Sequence, residues 1–389
     1  MLQADRRPRA VRAFNFFVRS PALAADALLQ RARRRAGLRD FGPDFNEEAL
    51  QVLLRSINEE AKLHPFGRLM VREKLSGQLE NRLWANHWWK KYPEILDLEV
   101  LPILLITGLQ RTGTTRMQRL LSRQPGARPL LSWEALYPAP VGVREENRTR
   151  IARTRRNERA VKWLSPTFHA IHPIYHDQPE EDVLLLDQHF MSSTTEAILH
   201  TPSYASWLEG RDPAEAYAYE KKLLQLLQWQ RPGDYWVLKS PHHLEYLPAF
   251  FRLFPASTAI WMHRPVEECA PSFLSMLYHS RRMFSEQVAP EEISEHWLPK
   301  LGRMLRNGLR FRNENPGRVL DIGYRELMED ETAVVKRLSG VISASPSLPA
   351  GPGKTYRSSH RYTGEDWGLP AAELRRRFSF YLSQTDLSA

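Results

Sequence analysis

A single cysteine in 389 residues, Cys269, is too few for an internal disulfide or a thiolate zinc site, so nothing in the chain argues for an oxidising compartment. Long apolar runs are missing too: no stretch approaches the roughly 20 residues that span a bilayer. Arg12 and Arg19 interrupt any apolar core near the N-terminus, and no small-residue cleavage site follows cleanly, so a secretory leader is not expected. A cytoplasmic location is the default. Acidic residues are scarce in one place only. Residues 1–40 hold ten arginines against Asp5, Asp26 and Asp40, an excess of seven, which leaves three of the formal +10 for the rest of the chain. The remainder is nearly balanced, and nucleic acid is not an expected partner. The arginine-rich arm, RARRRAGLR included, could touch an anionic membrane surface, or form a solvated helix face whose apolar side packs on the body.

What is present is the grammar of an α/β protein with helices added in front. Residues 14–40 read as helical, with Phe14, Phe17, Leu28 and Leu29 on apolar faces and Gly37 as the stop, and residues 46–91 read as helical up to WANHWWKKYP. From residue 101 the β-rich runs ILLITG, YWVLKSP, STAIWMHRP and RVLDIGY alternate with helical stretches. That alternation predicts a P-loop-like, mostly parallel sheet flanked by helices, with an N-terminal helical extension. No linker precedes the first strand, so residues 1–100 are expected to pack on an α/β core of 101–340. Residues 341–389 are expected to form a C-terminal loop or lid and a helix, since 341–363 are rich in Ser, Pro and Gly.

The most informative segment is Leu104–Leu121, LLITGLQRTGTTRMQRLL, in which an apolar strand enters a turn bounded by Gly108 and Gly113 and opens onto an amphipathic helix. Glycine permits positive φ and close approach of the backbone, and the amides of such a turn converge on an anion at the helix N-terminus. Thr114 stands where a nucleotide triphosphatase carries its phosphate-binding lysine, while the positive charge sits earlier, at Arg111. Such a loop suits a phosphorylated nucleotide other than ATP or GTP. Ligands of these sheets lie beyond the carboxyl ends of the strands, where YWVLKSP ends in Lys239 and STAIWMHRP in Arg264.

With these elements in order, the sequence resembles the sulfotransferases that use 3′-phosphoadenosine 5′-phosphosulfate (PAPS). GLQRTGTT is similar to their 5′-phosphosulfate loop, which implies Arg111, Thr112, Gly113, Thr114 and Thr115 as donor-binding residues, with Arg116 next to them where cytosolic members carry an aromatic. HRPVEECAPS is similar to the 3′-phosphate element, which implies Arg264 and Ser272. Three further segments are similar to the branch containing the tyrosylprotein sulfotransferases and many bacterial members. SWEAL implies Glu134 as the catalytic carboxylate, WVLKSPHHL implies Lys239 as a transition-state cation with Arg111, and GYRELMED implies Tyr324 beside the adenine. No close copy of the C-terminal RKG segment is present, and Lys354 and Arg357 are its nearest substitutes.

The resemblance implies in-line transfer of a sulfuryl group to a hydroxyl or amine of a small-molecule or lipid-like acceptor, without a metal ion. Glu134 is the expected base, against the alternative of a buried Glu held by arginines. His169, His172, His176, His242 and His243 compete for the role, and Glu180 and Glu181 in QPEED are further candidates, although acidic residues there also suit a helix start. Trp84, Trp88, Trp89, Trp163 and Trp207 could line an aromatic acceptor pocket or serve packing. The rival readings are a P-loop kinase or nucleotide triphosphatase, with Asp187 of VLLLD as its magnesium ligand, and a nucleotide-binding protein without activity. A nucleic-acid module rests on the arginine-rich arm alone. Nothing in the sequence fixes an oligomeric state.

Overall fold

Along Ile103–Thr107 (β1) alternate side chains point to opposite faces, so Ile103 and Leu105 join one buried cluster while Leu104 and Ile106 join another. The same split holds for Trp236 and Leu238 against Tyr235 and Val237, and for Ala259 and Trp261 against Ile260 and Met262. A sheet buried on both faces needs apolar residues at every position, which is why these runs are continuous rather than alternating. The computed structural model describes residues 5–142, 147–341 and 364–385. Lys354, Arg357 and the expected lid at 341–363 lie outside them except for residue 341.

The sheet has five parallel strands in the order β2-β3-β1-β4-β5, where β2 is Ala127–Pro129, β3 Tyr235–Lys239, β4 Thr258–His263 and β5 Val319–Gly323. β1 is central and connections leave it in both directions, so the crevice at the carboxyl ends of β3, β1 and β4 is the place for a ligand. The smaller core lies under Met117, Leu120 and Leu121 and the helices Tyr324–Glu329 and Glu331–Arg337. The larger buried cluster lies on the other face.

That larger core takes in the N-terminal helices α1 (Arg9–Phe17), α2 (Ala25–Ala36), α3 (Glu47–Glu59) and α4 (Pro65–Lys91). The expected helix over 14–40 is broken: the chain leaves helix after Phe17, passes Pro21, and re-enters at Ala25. Phe17 is correspondingly exposed, while Leu28 and Leu29 are buried as expected. Gly37 closes α2 in the left-handed region, at φ 69°. Lys62 at φ 47° and Pro65 at the first turn of α4 divide the 46–91 stretch into two helices. Among the described residues no helix is long and apolar enough to cross a membrane.

Candidate active site

β1 turns through Gly108 and Gly113 into α5 (Thr114–Leu121). Gly108 has φ 133°, and a Cβ there would come within 2.4 Å of the Met262 carbonyl oxygen on β4. Gly113 has φ 92°, and its Cβ would come within 2.9 Å of the Tyr324 ring. The turn therefore fits only with glycine at both ends. Arg111 also lies at positive φ, 71°, a strained position for a side-chain-bearing residue. The first amides of α5 have no acceptors within the helix. No hydrogen bond engages the hydroxyls of Thr114 and Thr115 among the described residues, whereas Thr112 donates its own to the Leu109 carbonyl at 2.7 Å.

Two elements bring cations and a hydroxyl to this turn. Arg111 Nε donates to Ser272 Oγ at 3.1 Å, and its Nη1 donates to the Ile171 carbonyl at 2.9 Å. Arg264, just past β4, donates to the Arg111 carbonyl at 3.0 Å and lies 4.3 Å from the centre of the Tyr324 ring. Burial and the nearby Arg264 charge lower the Arg111 pKa, a strain that an anion in the turn would relieve. Arg111, Ser272, Arg264, Tyr324 and the glycine turn thus converge. Arg116 does not join them: it pairs with Glu331 at 2.6 Å, holding α5 to the helix Glu331–Arg337.

Lys239 ends β3 at the same edge, buried, with Nζ 2.6 Å from the Glu181 carboxylate. Glu180 beside it accepts the Glu181 amide at 3.0 Å, and burial, only partly opposed by Lys239, raises its carboxyl above the usual range. His172 follows α8 (Pro166–Ile171). Burial, and the charges of Lys239, Arg111 and Arg119 against the opposing pull of Glu181, bring its pKa down to about 4, so it is neutral at pH 7. The segment is anchored beneath by Asp182, 2.9 Å from His243, whose other ring nitrogen lies 2.7 Å from the Tyr217 hydroxyl. Asp182, Glu220 and His243, all buried, are the one group of possible cation ligands among the described residues. Burial and the nearby Asp182 raise the Glu220 carboxyl well above the usual range.

Glu134, the expected base, is held by two arginines. It lies on α6 (Ser132–Leu136), 1% exposed, with both oxygens 2.9 Å from the Arg128 guanidinium and a further contact of 2.8 Å from Arg231. Its carboxylate also accepts the Leu131 amide at 2.9 Å, capping its own helix. Burial alone would raise its pKa, but the two arginines outweigh burial and lower it. Arg128 stacks on Trp236, three residues before Lys239 on β3, so this cluster lies about 10 Å below the carboxyl edge of the sheet. Both carboxylate oxygens of Glu134 are thus engaged by guanidiniums.

Among the histidines of the described residues only His172 adjoins Arg111 and Lys239. His176 pairs with Glu158, His242 lies by Ser193, and His169 packs edge-on to Tyr175. Trp88 and Trp89 pack against Tyr92 and Tyr219 within the core. Asp187 lies on a short helix, not a strand, and pairs with Lys74 of α4, so it offers no magnesium ligand beside the turn. The Glu181–Lys239 pair is the feature the sequence understated; an acidic run and a cationic strand end were its only signal.

Residues 102–343 match the model of the sulfotransferase family. The sulfotransferase STF1 from Mycobacterium tuberculosis H37Rv is 30% identical, with a TM-score of 0.81 over 93% of this chain and 100% of that one. STF9 from Mycobacterium avium, also a sulfotransferase, is 26% identical, with a TM-score of 0.80 over 95% of this chain and 99% of that one. No curated protein matches.

Proposed function

The chain belongs to the sulfotransferase family, and we propose that it moves a sulfuryl group from PAPS to a hydroxyl or amine of a small-molecule or lipid-like acceptor. The observation that carries this reading is the bond between Arg111 and Ser272, with Arg264 on the Arg111 carbonyl, which brings the two phosphate-binding elements onto one turn. In this reading the amides of the turn, Thr114, Thr115 and Arg111 hold the 5′-phosphosulfate, Arg264 and Ser272 take the 3′-phosphate, and Tyr324 lies beside the adenine. The acceptor oxygen or nitrogen forms a bond to sulfur as the bond to the bridging 5′-phosphate oxygen breaks. The electron pair goes to that oxygen, where Lys239 and Arg111 stabilise the charge that develops.

The acceptor proton goes to Glu180, whose raised pKa suits a base at neutral pH, while Glu181 orients Lys239. The likeness to the tyrosylprotein branch then extends to Lys239 but not to a base at Glu134. A cytoplasmic location belongs to the same reading, as does transfer without a metal.

Calorimetry tests it. Adenosine 3′,5′-bisphosphate should bind and ATP should bind far more weakly, because Thr114 stands where a nucleotide triphosphatase carries the lysine for its triphosphate tail. Arg264→Ala should weaken the bisphosphate by about 1.5–3 kcal/mol, the scale of a charge-assisted hydrogen bond. ATP bound as tightly as the bisphosphate would overturn the donor assignment.

A further inference from the structure

One surface has no part in transfer. On α1, Val11 is buried, Phe14 meets Phe66 of α4 edge-on at 5.6 Å, and Asn15 accepts the Phe66 amide at 2.9 Å. The opposite face carries Arg9, Arg12, Phe16 and Phe17 within roughly 140° of the helical circumference. Phe16 is 83% exposed and Phe17 80%, packed edge to face at 5.0 Å, and the chain continues through exposed Val18, Arg19, Pro21 and Ala22. Exposed apolar residues on soluble proteins are usually scattered singly. Here two adjacent aromatics share a face with cations.

Those cations differ from the engaged arginines of α2. On α2, Arg31 and Arg35 are paired with Glu73 and Glu80, and Arg33 lies over Phe41. Arg9, Arg12 and Arg19 are exposed, and no carboxylate pairs with them among the described residues. The helix is held in place from its N-terminal side. Asp5 accepts hydrogen bonds from Thr167 at the start of α8, and Arg7 donates to the carbonyls of Arg282 and Ser285 at 2.7 and 2.8 Å.

We propose that α1 and the segment after it dock the protein peripherally on an anionic lipid surface, with Phe16 and Phe17 entering the acyl boundary while Arg9, Arg12 and Arg19 take lipid phosphates. A protein partner fits less well, since the core of a stable interface is depleted of charge and this patch sets arginines among its aromatics. A bilayer matches it in charge, and the long arginine side chains beside the aromatics can reach lipid phosphates while Phe16 and Phe17 enter the acyl boundary. The docking stands apart from the donor assignment, and either can fail without the other.

The test is co-sedimentation of the full chain with vesicles of phosphatidylcholine, with and without phosphatidylglycerol. Binding should require the anionic lipid and weaken as salt rises. Phe16→Ser with Phe17→Ser should lower it at least about tenfold, and Arg9→Gln with Arg12→Gln several-fold, while all variants keep the wild-type melting temperature because the side chains are exposed. Wild-type protein left in the supernatant with anionic vesicles would overturn the proposal. So would a double-serine variant that sediments as well as wild type, or self-association in the ultracentrifuge that the double-serine change abolishes while vesicles bind neither protein.

Discussion

Burial acts on Glu134 and Glu180 in the same direction, and their neighbours decide what each can do. Two guanidiniums leave Glu134 ionised and lowered, whereas Glu180 feels one lysine and stays raised. Glu180→Gln should therefore reduce kcat by about 10²- to 10⁴-fold with bisphosphate affinity nearly intact. The rate can be read on an acceptor found by incubation with labelled donor. Glu134→Gln should act on stability instead: it leaves Arg128 buried without its charge partner, and a broken buried pair costs about 3–5 kcal/mol, visible in denaturant melts. A Glu134→Gln protein that melts like wild type yet has lost turnover would return the base to that residue. The sequence could not separate these two carboxylates. Arg231, one of the two guanidiniums on Glu134, lies 97 positions away in the chain, and nothing local announces that contact.

Turns at strand ends carry the next level of constraint. Ala at Gly108 must accept both positive φ and a carbonyl oxygen 2.4 Å from its Cβ, so Gly108→Ala should destabilise the fold by more than about 1 kcal/mol. Ala at Gly113 meets the movable Tyr324 ring instead, so Gly113→Ala should weaken bisphosphate binding more than it lowers the melting temperature. Equal effects at the two sites in paired calorimetry and melts would contradict this. β1, β3 and β4 were legible because strands buried on both faces are written as unbroken apolar runs, and β5 from its short β-rich run although it is only half-buried. β2 was not, being three residues long and ending in Pro129, which an edge strand tolerates. The helix expected over 14–40 failed at Pro21, because apolar spacing continued across a break that the backbone could not.

For the molecule as a whole, acid should act through histidines before it acts on carboxylates. His64, His172 and His189 are pushed down to about 4, chiefly by burial, and His242 is also pushed well down, against 6.5 for a free imidazole. Below pH 6.5 the unfolded chain takes up protons that the folded one refuses, so their contribution is complete above 6.5 and is lost as pH falls toward 4. The melting temperature should decline between pH 7 and 5, with net proton uptake on unfolding at pH 5.5; a flat profile over that range would contradict the assignment. Cys269 bears on how such experiments can be done. It is 1% exposed on the helix Val266–Arg282, and burial pushes its thiol up to about 12. Alkylating reagents attack the thiolate, so the native chain is a silent background at neutral pH. A cysteine introduced at Phe17 or Thr115 would be the only reactive one, and a fluorophore or spin label there would report on one position at a time, without any native residue having to be removed first.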